Sequence, residues 1–171
     1  IAYDMTKTRG GGYSPKGFIV RDFGSGMTRE KAIQAYYGDN YGSDTSDETR
    51  NGAIGVGGKD CFIDMDNCYI LTIHETVLTV IQIKTLSNQT LASKIMKNDE
   101  AQIPFQFINK LLRNGNLEEM SLSKNQTVAA FQLPQDVPGT RPDKLAEQLR
   151  QFYTLRWILE SNLRKVKLTD L

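Results

Sequence analysis

The sequence predicts a mixed α/β fold, because runs rich in β-branched and aromatic residues are interspersed with segments that have helical periodicity. The predicted strands cover residues 17–22, 68–75, 77–83 and 127–133. Helices are predicted over residues 29–37, 104–113 and 143–162, the last with a broad apolar stripe that includes Trp157. Strands and helices mixed along one chain of 171 residues fit one principal domain.

Local signals support several of these boundaries. Thr28 is a suitable N-cap for the helix over 29–37, and the tight Glu75-Thr76 connection between two strands predicts a hairpin. Pro134 stops the strand over 127–133. Residues 13–16, which include Pro15, are predicted as a turn, and the polar residues 92–98 give no clear prediction.

The two ends of the chain suggest its organisation. Residues 2–5 resemble the end of a helix, and the chain starts at Ile1 without an initiator Met, so we expect a fragment whose first helix is missing. Residues 138–142 are predicted as a linker, and residues 164–168 as a possible strand that leads into a following element. The predicted domain therefore spans residues 1–137, and residues 138–171 hold the linker, the long helix and the start of that element.

Composition argues against several classes of function. The net charge of +1 indicates neither a nucleic-acid partner nor a membrane surface. No apolar run approaches the roughly 20 residues of a membrane helix, and no leader opens the chain, so a cytoplasmic location is expected. Cys61 and Cys68 with the single His74 are too few for a four-ligand zinc site, so reduced thiols and no metal are predicted.

Two glycine-rich stretches are the strongest candidates for function. The first, Asp22-Phe23-Gly24-Ser25-Gly26-Met27, places an acid and then glycines at the end of a predicted strand. The second, residues 52–59, is dense in glycine and ends in Lys59. Such a loop can surround phosphates with backbone N–H groups, and a lysine adds a full charge, although a flexible loop with a solvated lysine fits the same pattern. Residues 39–51 between them form a long polar loop, typical of a lid.

These stretches do not fit three common classes of nucleotide-binding protein. A P-loop needs glycine where Ala53 stands and a hydroxyl residue where Asp60 follows Lys59. The dinucleotide pattern fails after Gly26. Asp22-Phe23-Gly24 is shared with protein kinases, but only 21 residues precede it, and none forms a kinase catalytic loop.

The pattern Asp-x-Gly-x-Gly-Met at residues 22–27, followed by a variable lid and a second glycine cluster, resembles the GHKL ATPases. This family comprises the gyrase, heat-shock chaperone, histidine kinase and MutL group, and the resemblance covers roughly residues 1–133. It implies a two-layer α/β sandwich, the Bergerat-type fold, with a mixed, mostly antiparallel sheet and helices on one face. It also implies ATP and Mg²⁺ as cofactors.

The resemblance assigns roles to individual residues. Asp22 would accept a hydrogen bond from the adenine amino group, while Gly24, Gly26 and Met27 would shape the pocket. The phosphates would be wrapped by Gly55, Gly57, Gly58 and Lys59. Thr127, at the start of a late strand, fits the position of a family threonine near the acid, although Gln126 replaces the usual glycine. Gly139-Thr140 is a literal match that lies in the predicted linker.

The family's first helix, Glu-x-x-x-Asn-Ala-x-Asp, is matched only at its end, by Ala2-Tyr3-Asp4. Asp4 would then help to organise the adenine pocket. The Mg²⁺-binding Asn falls on Ile1, which has no oxygen ligand in its side chain, and the general-base Glu would precede the chain. The catalytic residue is therefore unknown.

Three functions remain open from the sequence. The first is an ATPase whose hydrolysis drives dimerisation or movement of a downstream domain. The second is a nucleotide-binding or degenerate module that does not hydrolyse ATP. The third is an interaction domain that binds no nucleotide.

Overall fold

The described residues form one seven-stranded sheet with helices packed against it. The computed structural model describes residues 2–7, 13–37, 65–86, 91–133 and 169–170. The elements are β1 (Ala2–Lys7), β2 (Tyr13–Asp22), α1 (Arg29–Tyr37), β3 (Asn67–His74), β4 (Val77–Thr85), β5 (Leu91–Met96), α2 (Asn98–Asn114), β6 (Gln126–Gln132) and β7 (Thr169–Asp170). The strand order is β5-β4-β3-β6-β2-β1-β7. Neighbouring strands pair antiparallel except β1 and β7, which are parallel. The predicted mixed, mostly antiparallel α/β fold is confirmed.

The predicted hairpin is formed by β3 and β4, with His74 opposite Val77. Glu75 and Thr76 both have positive φ, 47° and 70°, as a two-residue type I′ turn requires. Neither residue is a usual choice for this conformation. The backbone N–H of Glu75 donates a hydrogen bond of 2.9 Å to Asn125 Oδ1, which ties the turn to the chain before β6.

The two helices that the structure describes pack on opposite faces of the sheet. Ala32 of α1 clusters with Cys68 and Ile70 of β3, whereas Ile108 of α2 clusters with Leu71 and Ile73. Because side chains alternate between the faces of a strand, these two clusters lie on opposite sides, named here the α1 face and the α2 face. The expectation of helices on one face thus differs from the structure: β3 is buried on both sides, so both faces need cover.

The first strands correct two predictions. Residues 2–5 are not a helix end; they belong to β1, which pairs with β2 along its length. Residues 13–16 are not a turn but the start of β2, and a register shift between Asp4 and Met5 accommodates this region, where Met5 lies opposite Pro15. Pairing between strands distant in sequence therefore overrides the local preferences of these residues.

Helix α2 begins six residues before the predicted start at Pro104. Asp99 and Glu100 lie in its first turn, where negative charge favours the helix dipole. Pro104 is tolerated inside the helix although it lacks an N–H donor. The helix ends with Asn116 at φ 52° and a hydrogen bond of 2.8 Å from Leu117 N–H to Leu112 O, a Schellman arrangement.

Several predicted segments lie outside the described residues: the lid over 39–51, the glycine cluster over 52–59, the linker over 138–142 and the helix over 143–162. The two residues of β7 join the sheet edge beside β1. The boundary near residue 137 stays a prediction. In the part of the chain that the structure describes, no helix is both long and apolar enough to span a membrane.

We expect Asn109→Ala to destabilise the fold. The Asn109 side chain donates to Met120 O at 3.1 Å and accepts from Met120 N–H at 2.6 Å, in a buried position. Alanine would leave both backbone groups unpaired, at a cost of about 2–4 kcal/mol in the free energy of unfolding. Urea unfolding measures this change, and Gln106→Ala, at an exposed position of α2, is the control. A loss as small as that of the control would contradict the prediction.

Candidate functional site

A row of polar side chains crosses four strands on the α1 face. Asp22 of β2 lies opposite Thr127 of β6, Thr127 lies opposite Thr72 of β3, and Thr72 lies opposite Thr79 of β4. The Asp22 end of this polar row is exposed and Thr127 is half-buried. Thr72 and Thr79 are buried, at 1% and 5% exposure. The row therefore opens to solvent at its carboxylate end.

The turn after Asp22 is held against the end of β3. Met27 N–H donates a hydrogen bond of 2.7 Å to Thr72 Oγ1. The ring nitrogen Nδ1 of His74 lies 2.9 Å from the carbonyl oxygen of Ser25. These two contacts fix both sides of Gly26, so the turn stays over the α1 face and leads into α1. The Thr28 hydroxyl accepts from Lys31 N–H at 3.3 Å, which confirms Thr28 as the N-cap.

Close approach requires one glycine of the turn, Gly26, and a second, Gly24, lies beside the Asp22 carboxylate. Gly26 has φ 68°, and a Cβ built there would lie 2.0 Å from the backbone oxygen of Ile73. A Cβ at Gly24 would lie 2.8 Å from Asp22 Oδ2. Gly26 thus lets the turn reach β3, and Gly24 leaves space beside the carboxylate.

The opposite face carries a network that supports the same strand ends. Arg21 Nε donates to Gln126 Oε1 at 2.9 Å, and its guanidinium also bonds the backbone oxygens of Glu118 and Glu119. Gln126 is buried and donates to the oxygens of Ser121 and Lys124, at 3.2 and 3.1 Å. The Gln126 side chain points away from the polar row and into this network.

Electrostatics in this network follow from burial and contact. Burial lowers the pKa of the Arg21 guanidinium, and the nearby Glu118 carboxylate opposes that effect. The Lys124 hydrogen bond and charge hold the pKa of Glu118 below its ordinary value. Arg21 also stacks over the Phe23 ring, 4.5 Å from its centroid, so the residues on both sides of Asp22 are held together.

The structure brings together some of the predicted site residues. Asp22, Gly24, Gly26, Met27 and Thr127 lie around the exposed end of the polar row. Asp4 does not join them. It pairs with Gly17, five residues before Asp22 on β2 and thus about 17 Å away along the strand.

The phosphate-binding residues of the prediction, Gly55, Gly57, Gly58 and Lys59, lie outside the described residues, as does Gly139-Thr140. Among the residues that the structure describes, no group of three or more His, Cys, Asp or Glu side chains could hold a metal ion.

Thr72 and His74 were not predicted as part of the site. Thr72 is the one polar residue in the run 70–73, and His74 was interpreted as structural. His74 does act structurally, as an anchor for the turn that carries the glycines. The strand register that brings both residues beneath this turn is not visible in local sequence.

Comparison with known proteins finds structural similarity only. No family model matches the chain, and no curated protein matches it. The chain is similar to the ATPase region of Saccharomyces cerevisiae topoisomerase II, at 14% identity and a TM-score of 0.48, over 99% of this chain and 41% of that one. The same values hold for that region bound to ICRF-187 (dexrazoxane).

A third similar structure contains the ATPase and transducer domains of DNA topoisomerase II from Balamuthia mandrillaris, at 12% identity and a TM-score of 0.38. That match covers 77% of this chain and 31% of the other. This chain thus spans less than half the length of these three structures. At such low identity and TM-score no activity is carried over, and a functional proposal must rest on this chain's own residues.

We expect Gly26→Ala to disrupt the turn. Alanine is strained at φ 68°, and its Cβ would collide with the backbone of β3. The expected loss is about 2–3 kcal/mol in the free energy of unfolding. Ser25→Ala is the control, because the exposed Ser25 hydroxyl contacts only the neighbouring Gly26 oxygen among the described residues, at 3.2 Å. Urea unfolding of both variants measures the difference, and equal stabilities would contradict the prediction.

Proposed function

We propose that this chain is the ATP-binding domain of a GHKL-type ATPase, with its adenine pocket at the exposed end of the polar row. One observation carries the proposal: Asp22 and Thr127 are neighbours on one face of the sheet, beneath a glycine turn that is fixed to β3. A carboxylate acceptor and a hydroxyl side by side suit the edge of a nucleobase, which presents donors and acceptors at similar spacing.

The surroundings of Asp22 suit a flat, largely apolar base. Val20 and Ala129 form the adjacent pair on the α1 face, and Val20 is 38% exposed. A base hydrogen-bonded to Asp22 would rest against this apolar pair. Gly24 leaves open the space beside the carboxylate that a Cβ would fill. Pockets that combine an apolar surface with a few placed polar groups are typical of nucleotide sites.

The phosphate side of the proposal rests on the sequence. Gly55, Gly57, Gly58 and Lys59 would surround the phosphates with backbone N–H groups and one positive charge. Mg²⁺, when bound with ATP, would neutralise phosphate charge, and it is assigned no ligand from this chain. Residues 2–5 form a strand, so they do not correspond to the end of the family's first helix. No general base and no other catalytic residue is therefore assigned.

Hydrolysis of ATP, and its coupling to dimerisation or to a downstream domain, is expected from the family resemblance. Phosphate release from saturating ATP separates an ATPase from a module that only binds the nucleotide. Turnover that is lost on substitution of Asp22 would support the ATPase, whereas saturable binding without turnover would favour the binding module.

We expect Asp22→Asn to weaken ATP binding. The substitution replaces a charged acceptor by an amide, and a hydrogen bond to a charged group is worth about 1.5–3 kcal/mol, so the dissociation constant should rise about 10- to 100-fold. Titration calorimetry with ATP, ADP and a non-hydrolysable ATP analogue, with and without Mg²⁺, measures this constant. Folding stability should change little, because Asp22 is exposed.

Asp66→Asn is the matched control. Asp66 is also exposed and precedes β3, at the end of that strand far from the polar row. Asp66→Asn changes the net charge by the same amount as Asp22→Asn, so a loss of ATP affinity in both variants would indicate a general charge effect. Unchanged affinity in Asp22→Asn would exclude the adenine role of Asp22.

We expect Lys59→Ala to weaken ATP binding more than ADP binding, because Lys59 is assigned to the terminal phosphate. The same calorimetric titrations give the loss of affinity for each nucleotide, and the loss for ATP should be about ten times that for ADP, as expected for one hydrogen bond to a charged group. Lys31→Ala, at an exposed position of α1, serves as a charge control. Equal losses of affinity for ATP and ADP would contradict the assignment of Lys59 to the terminal phosphate.

A further inference from the structure

Helix α2 carries two large apolar side chains on the face that it turns away from the sheet. Ile103 is 69% exposed and Phe107 is 59% exposed. The opposite side of the helix is buried against the sheet through Ala101, Ile108 and Leu112. Residues four apart lie on the same face of an α-helix, so Ile103 and Phe107 form one continuous apolar surface. Single exposed apolar residues are common on proteins, whereas an adjacent pair on an outward helix face is a candidate contact surface.

Charged side chains of opposite sign lie at the two ends of this outward face. With 3.6 residues per turn, Asp99 and Lys110 fall within about 40° of Ile103 around the helix axis, and both are exposed. In the part of the chain that the structure describes, neither of them pairs with an opposite charge. The neighbouring Glu100 and Arg113 are already held in ion pairs. The outward face thus presents a carboxylate near its N-terminal end, an ammonium group near its C-terminal end, and the apolar pair between them.

This order of groups is complementary to itself when two copies of α2 run antiparallel. About a two-fold axis that passes beside residue 105, Ile103 of each helix lies opposite the partner's Phe107. The same register brings Lys110 of each helix beside the partner's Asp99, so an ion pair can form at both ends. A parallel pair of helices would instead bring like charges together at each end. The charge pattern therefore favours a second copy of this chain, in antiparallel orientation, as the occupant of the surface.

We propose that α2 is the contact surface of a homodimer in which the outward faces of two copies pack antiparallel. The surface lies on the α2 face of the sheet, away from the candidate site on the α1 face, so the association needs no nucleotide and is independent of the proposed function. With 17 residues, α2 is about 25 Å long, and one such helix pair buries less than the roughly 800 Å² per partner of a standard interface. The dimer is therefore weak, with an expected dissociation constant of about 10–500 μM.

Sedimentation equilibrium of the 171-residue chain, without nucleotide and over concentrations that bracket this constant, measures the association. Phe107→Ser should raise the dissociation constant about tenfold or more, because it removes a central apolar contact twice in each dimer. Val77→Ser is the matched control, since Val77 is an apolar residue of similar exposure, 57%, on the opposite face of the sheet. Its dissociation constant should equal that of the wild type. Both positions are exposed, so urea unfolding should find both variants folded.

Charge reversal tests the antiparallel register. Asp99→Lys alone and Lys110→Glu alone each place like charges together at both ends of the dimer, so each should raise the dissociation constant about fivefold. The double variant Asp99→Lys/Lys110→Glu restores opposite charges at both ends and should return the constant to within about twofold of wild type. Each reversal also opposes the helix dipole, but that weakening of the helix would persist in the double variant. Recovery therefore separates the interface role of these charges from their effect on helix stability.

Four outcomes would overturn the proposal. The wild-type chain remains monomeric at every concentration, or it dimerises only when ATP is present. Phe107→Ser dimerises as well as the wild type, which would place the contact elsewhere. Phe107→Ser loses folding stability while Val77→Ser does not, which would show that another part of the same chain covers the surface. A double charge-reversal variant that stays as weak as the single variants would overturn the antiparallel arrangement itself.

Discussion

The chain between β2 and α1 runs directly against the end of β3, and the candidate site depends on this contact. Gly26 brings its backbone so near to Ile73 that no side chain fits, and the Met27 N–H bonds the Thr72 hydroxyl. Because the turn cannot lift from the sheet without losing this bond, it fixes where α1 starts and how much space remains above Asp22. Gly26 therefore sets how closely the turn lies on the sheet at the candidate site, and Thr72 holds it there.

Adjacent residues at the same strand ends have different tasks because side chains alternate between faces. Asp22 and Thr127 face the candidate pocket, while Arg21 and Gln126 face the α2 side and bond the chain before β6. The buried Gln126 satisfies its polar groups there, so the ends of β2 and β6 are held in register from behind. The supporting network on the α2 face and the candidate site on the α1 face therefore share the same short pieces of backbone.

An element could be predicted from the sequence when the residues that stabilise it lie close together along the chain. The β3–β4 hairpin, α1 with its Thr28 cap, and the strand around Thr127 depend on residues close in sequence, and they were predicted. β1 and the early part of β2 depend on each other and on β7, so helix-like and turn-like local patterns were misleading there. Thr72 could not be assigned to the site, because only the pairing of β3 with β6 places it beside Thr127.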